Sequence, residues 1–163
     1  MKIYVASSWR NEFQPKIVSD LRALGYDVYD FKARGSGWGM PEDDASSTGP
    51  FSWSAIDPEW KNWDADGYVR GIRDPIAQAG FERDMDALKL ADACVMVMPC
   101  GPSASMEFGY AVGSKKLTIV FIEGIREPDL MVLMANLVTQ RWVEVVDKLQ
   151  EYREFDNAIS RLG

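Results

Sequence analysis

The chain has 163 residues, near half of them apolar and a quarter charged, with no histidine and a formal charge of −7. Length and composition describe one soluble globular domain, residues 1–163, with a real core. The missing histidine excludes His-based triads, His-metal sites and the commonest general base. The acidic balance argues against polymeric nucleic acid, which requires a basic footprint. Acid–base chemistry therefore falls to carboxylates, Tyr, Lys or Cys.

The opening MKIYVASSWR reads directly into a strand rather than a signal peptide, and no apolar stretch approaches bilayer thickness, so no membrane is expected. KIYVAS is the first strand, and a helix follows over about 12–24, with Ile17, Val18, Leu21 and Leu24 on one face and Gly25 as its stop. DVYDF, Asp27–Phe31, is the second strand. A helix over about 79–90 leads into ACVMVMP, an almost continuous apolar run typical of a central parallel strand. Cys94 and Cys100 lie in or beside that strand, so reduced thiols in a cytoplasmic setting are expected. A third helix covers about 103–114, and LTIVFI, Leu117–Ile122, is the next strand. EPDLMVLMANLV then reads as a helix, RWVEV as a short edge strand, and 147–162 as a closing helix.

Alternating strands and helices with short connections imply an α/β fold, a five-stranded parallel sheet covered on both faces. Ligands of such sheets sit outside the carboxyl ends of the strands, which places Ser7–Arg10 and Pro99–Ser105 at one edge. One segment breaks the rhythm. About 32–73 is rich in Gly, Pro, Ser and Trp, including RGSGWGMPEDD and FSWSAIDPEWKNW. A connection of this length is usually a lid or binding loop, and Trp38, Trp53, Trp60 and Trp63 argue for order, since disordered segments are poor in aromatics. GSGWG, Gly35–Gly39, lacks the third glycine and the following helix of a dinucleotide loop and reads as a turn.

The run PCGPSASMEFGYAVGSKK holds a single carboxylate, Glu107, among small and apolar residues. A carboxylate near a helix start offsets the macrodipole by about 0.3–1 kcal/mol. The capping-box spacing fails, however, because Met106 stands three residues after Ser103. Helical geometry groups Glu107 with Ser103, Ala104, Ala111 and Ser114, and small neighbours leave room for a ligand.

Together, IYVASSWR, DMDALKLADACVMVMPCGPSASMEFGYAVGSKK and EPDLM resemble the nucleoside 2-deoxyribosyltransferase-like family, including its nucleotide N-glycosidase branch; FSWSAIDPEWKNW is similar to the tryptophan-rich insertion of its bacterial and phage members. The resemblance is strongest over Asp84–Lys116. It implies a flavodoxin-like (Rossmann-like), doubly wound sheet and cleavage of the bond between a nucleobase and C1′ of a (deoxy)ribose, with no metal and no cofactor. By this resemblance Glu107 is the nucleophile that forms a glycosyl-enzyme, in the manner of a retaining glycosidase. Asp84, eight residues before Asp92, is the proton donor to the leaving base. Tyr4 holds the nucleophile and lines the 2′ side of the sugar.

Two departures bear on the substrate. Where transferases of free nucleosides carry an aspartate, six residues before the glutamate, this chain has Gly101; the nucleotide branch has a phosphate-touching serine there, a role open to Ser103 or Ser105. Arg10 matches a phosphate-binding arginine, beside Ser7 and Ser8. Asp129 instead occupies the position from which a neighbouring subunit reaches the 5′ end, and would accept from a hydroxyl and repel a phosphate. The balance leans toward a 5′-monophosphate. Trp53 and its neighbours either cover the base or staple the insertion to the body. A homo-oligomer, dimer or larger, is implied, with Met131, Leu133 and Met134 as packing surface. The expected partner is a small nucleoside or nucleotide, its sugar passing to another base or to water; the alternative is a non-catalytic nucleotide-binding sensor or partner module.

Overall fold

The computed structural model describes residues 1–33, 38, 51–124 and 127–161. In chain order the elements are β1 (Lys2–Ala6), α1 (Gln14–Ala23), β2 (Asp27–Tyr29), α2 (Ala65–Gly71), α3 (Pro75–Leu90), β3 (Ala93–Met98), α4 (Pro102–Gly113), β4 (Leu117–Ile122), β5 (Leu137–Thr139) and α5 (Trp142–Ser160), with short 3-10 turns at Trp53–Ala55, Trp60–Asn62 and Leu130–Met134. They form two compact units: Met1–Tyr29 with Ala91–Gly163, and Asp30–Leu90.

The first unit is built on one five-stranded sheet, all parallel, in the order β2-β1-β3-β4-β5. This is the flavodoxin-like order, whose switch point lies between β1 and β3. Side chains alternate across each strand. Ile3, Val5, Val28, Val95, Val97, Ile119 and Phe121 face Ile17, Val18 and Leu21 of α1 and Val145 and Leu149 of α5, forming the main core. The intervening residues, Tyr4, Ala6, Cys94, Met96 and Val120, are equally buried on the opposite face. There α4 packs over β1, β3 and β4 through Ala104, Phe108 and Ala111.

Local chemistry explains the element ends. Pro15 sits in the first turn of α1, where its missing N–H costs nothing. The helix closes with Gly25 at φ 79°, its N–H on the Arg22 carbonyl and that of Tyr26 on the Leu21 carbonyl.

Two expectations are corrected. EPDLMVLMANLV is not an α-helix: Asp129 Oδ1 accepts from Met131 N at 2.9 Å and caps a single 3-10 turn, after which the chain enters the sheet as β5. RWVEV is not a strand but the start of α5, because burial follows Val145 and Leu149 at helical spacing.

The second unit is held by its rings. Trp63 lies edge-on to Trp53, centroids 5.7 Å apart, and Trp53 edge-on to Phe51 at 4.7 Å. Trp63 covers Gly67 and Gly71 of α2, and Phe51 covers Gly80 of α3. Asp64 caps α2, its Oδ1 accepting from Gly67 N at 2.7 Å. Trp53 and Trp63 are thus packing residues of this unit. Of GSGWG, only Trp38 falls among the described residues.

Candidate active site

At the carboxyl ends of β1 and β3 two turns meet. Ser7, buried at the end of β1, donates its hydroxyl proton to the Val97 carbonyl at 2.9 Å. Ser8 Oγ accepts from Arg10 N at 3.2 Å, and the Arg10 side chain is exposed. On the other side the chain leaves β3 through Pro99, Cys100 and Gly101. Gly101 precedes α4 in an extended conformation, with no side-chain cap and no acidic residue in the first turn. Ser103 is exposed in that turn, and Ser105 places its hydroxyl 3.4 Å from the Gly101 carbonyl and 3.8 Å from Cys100 Sγ.

Glu107 follows one turn later. It is half-buried, at the border between the buried stripe of Ala104, Phe108 and Ala111 and the exposed Ser103 and Ser114. Its charge is felt by two thiols. Burial first, then the Glu107 carboxylate, push the Cys94 thiol far above its ordinary range. Cys100 is raised by burial, then by Asp129 and by Glu107, against a lowering hydrogen bond from Ser105. Cys94 is the register partner of Tyr4, which is fully buried and stacks on Tyr29 with centroids 5.2 Å apart and planes 17° apart. Glu107, Cys94 and Tyr4 thus belong to one face of the sheet. The charge of Asp129, exposed on the turn before β5, raises the same Cys100 thiol.

Asp84 and Trp53 belong to the other unit. Asp84 is half-buried on α3, its Oδ1 3.7 Å from Arg83 Nε. Trp53 is half-buried between Phe51 and Trp63.

One residue of this edge has no role in the sequence reading, Asn11. An Asn two positions before the N-cap residue of a helix, here Phe13, is its signal, since Asx side chains bond the backbone just ahead of them.

A shallow cavity of about 280 Å³ lies elsewhere, at the amino end of β4, lined by Lys115, Lys116, Leu117, Asn136, Lys148 and Tyr152. Two of its lysines are engaged: Lys116 Nζ bonds the Ala91 carbonyl at 2.6 Å and Lys148 pairs with Glu151 at 2.8 Å. Among the described residues no group of three His, Cys, Asp or Glu is placed to hold a metal ion, and no helix is long and apolar enough to cross a membrane.

No family model and no curated protein matches the chain. Solved structures do. A 2-deoxyribosyltransferase from the psychrotolerant bacterium Bacillus psychrosaccharolyticus superposes with a TM-score of 0.53 at 20% identity, over 89% of this chain and 90% of that one. A CMP N-glycosidase of Clostridium botulinum gives 0.46 at 14% identity, over 92% and 99%. At such identity the first likeness is one of fold, and it agrees with the observed strand order.

Proposed function

We propose that this chain cleaves the N-glycosidic bond of a nucleoside or nucleoside 5′-monophosphate through a glycosyl-Glu107 intermediate. The observation that carries the proposal is Glu107 itself, a carboxylate half-buried on α4 beside the carboxyl ends of β1 and β3, with its field reaching the buried Cys94. A group that only binds a sugar gains nothing from such desolvation, whereas a nucleophile does.

In the first step a Glu107 oxygen attacks C1′. The C1′–N bond breaks, its electron pair leaves with the base, and a general acid supplies the proton the base needs. In the second step another base, or water, attacks C1′, the ester to Glu107 breaks, and the proton returns to that acid. A carboxylate is suited to both steps because it stabilises oxocarbenium character and then traps it. Tyr4, on the same sheet face, orients Glu107. The fold shared with a 2-deoxyribosyltransferase supports this class of chemistry.

A homo-oligomer is part of the proposal. Leu130 and Leu133 are about three-quarters exposed and Met131 more than half, an apolar run suited to packing between subunits.

The test is incubation with a panel of nucleosides and 5′-monophosphates, with and without acceptor bases, resolved by chromatography. Release of free base by the parent and its loss in Glu107→Gln support the proposal. No release from any member of the panel would sink it.

A further inference from the structure

Asn11 is 3% exposed and uses both ends of its amide. Its Nδ2 donates to the Val97 carbonyl at 3.1 Å and the Pro99 carbonyl at 3.0 Å. Its Oδ1 accepts from Phe13 N at 2.8 Å and Gln14 N at 3.3 Å. One side chain therefore starts α1 and ties the β1–α1 turn to the end of β3. The Val97 carbonyl is also the acceptor for Ser7, so both turns converge on one backbone oxygen.

We infer that Asn11 is a positioning residue of the proposed active site, setting where the Pro99–Gly101 turn, and with it α4 and Glu107, stands relative to Ser8 and Arg10. The catalytic part of this inference rests on the proposed function; the clamp itself does not. Only an amide meets the geometry. Two carbonyls must be met by donors while two N–H groups meet an acceptor, and a carboxylate of the same shape offers acceptors alone. Buried and unmatched, such groups separate the turns they joined.

The clamp is tested first on the parent. The Asn11 side-chain amide protons, followed by NMR, should exchange with solvent far more slowly than those of an exposed Asn. Exchange at the exposed rate overturns the inference without any variant.

Asn11→Asp then probes the consequence. Cys100 lies on the clamped turn, with Sγ 3.6 Å from Met96 Sδ, while Cys94 is fully buried and reports unfolding. Under native conditions the variant's Cys100 should react with dithiobis(nitrobenzoate) roughly tenfold faster, with Cys94 still silent. The added carboxylate would by itself slow that reaction by disfavouring the thiolate, so acceleration reports release of the turn. Unchanged Cys100 reactivity overturns the clamp. For base release, kcat should fall roughly 10- to 100-fold with KM little changed, as expected for a displaced nucleophile. A parental kcat in a variant with a released turn would overturn the positioning role. If the parent releases no base, the proposed function fails while amide exchange and Cys100 labelling still decide the clamp. If Cys94 becomes reactive, the variant has unfolded and the parental exchange rate decides.

Discussion

Asn136 and Thr118 hold each other across β4 and β5. Asn136 Oδ1 accepts from Thr118 N at 2.8 Å and from its hydroxyl at 2.9 Å, while Asn136 N donates to the Thr118 carbonyl at 2.9 Å. The side chain stands in for a ladder partner just before β5 begins, and so fixes where that three-residue strand joins the sheet. Asn136→Ala leaves the nearly buried Thr118 with an N–H and a hydroxyl to be satisfied by water. A loss of about 1–2 kcal/mol is expected, read as a lower urea midpoint with unchanged slope. Asn136→Asp keeps the acceptor and should lose less. Equal midpoints for Ala and parent would show that the pair does not hold β5.

The same pair explains what the sequence concealed. Four strands stood out as short apolar runs, and the helix after β1 by apolar residues at helical spacing. β5 did not, since its three residues are placed by Asn136 rather than by pattern. RWVEV has strand-like composition, but Arg141 and Glu144 pair at 2.9 Å across a helical turn and tertiary packing on Val145 settles the matter. At the candidate site Glu107 stood out as a charge in a small-residue run. Asn11 did not, because the carbonyls its Nδ2 meets lie some ninety positions away, in a turn no local pattern links to it.

Lys115 should be replaceable with profit. It follows α4 at φ 57°, with its N–H on the Val112 carbonyl and that of Lys116 on the Ala111 carbonyl. That helix ending favours glycine, and a side chain with a β-carbon there costs about 1 kcal/mol. Glycine also gains entropy in the unfolded chain, which returns part of the benefit. Lys115→Gly should raise the unfolding midpoint by an amount corresponding to about 0.5 kcal/mol. A lower midpoint would mean that contacts of the lysine outweigh its backbone conformation.

Gly71→Ala tests the packing of the second unit. A β-carbon at Gly71 would stand 2.2 Å from two ring atoms of Trp63. The ring cannot easily yield, because its Nε1 donates to Asp57 and it packs nearly perpendicular to Trp53. Alanine favours helix by up to about 1 kcal/mol over glycine. Overpacking against a fixed ring costs about 1–3 kcal/mol, so the clash wins. Tryptophan fluorescence should report loosening of the Trp53–Trp63 pair at lower urea than in the parent. An unchanged profile would place the ring elsewhere.

Glu107→Gln has a consequence that does not depend on catalysis. Cys100 is held above its ordinary range by burial, then by Asp129 and Glu107. A raised thiol pKa means less thiolate at a given pH, so alkylation of Cys100 should rise with pH around a midpoint above that of a free thiol. Removing the Glu107 charge lowers the pKa, moves the midpoint toward lower pH and speeds labelling at pH 8. Iodoacetamide labelling across pH 7–10, read by mass spectrometry, gives both curves. Coincident curves would show that the Glu107 charge does not act on this thiol. In the same variant base release should fall by roughly 10³-fold or more.

Arg10 and Asp129 bear on the two substrate classes in opposite ways. Arg10, exposed on the β1–α1 turn, suits a 5′-phosphate through charge-assisted hydrogen bonds. Asp129 suits a 5′-hydroxyl, since its carboxylate accepts from a hydroxyl and repels phosphate. Its charge also raises the Cys100 thiol on the turn before α4. The opposing variants should therefore shift preference in opposite directions. Arg10→Ala should weaken use of a 5′-monophosphate by roughly tenfold in kcat/KM and spare the free nucleoside. Asp129→Asn should improve use of the monophosphate, because it removes the repulsion while keeping an acceptor. If the parent prefers the free nucleoside and Arg10→Ala changes neither substrate, the phosphate role of Arg10 is wrong. If Asp129→Asn leaves both unchanged, Asp129 serves only to cap its 3-10 turn, the role its bond to Met131 already gives it.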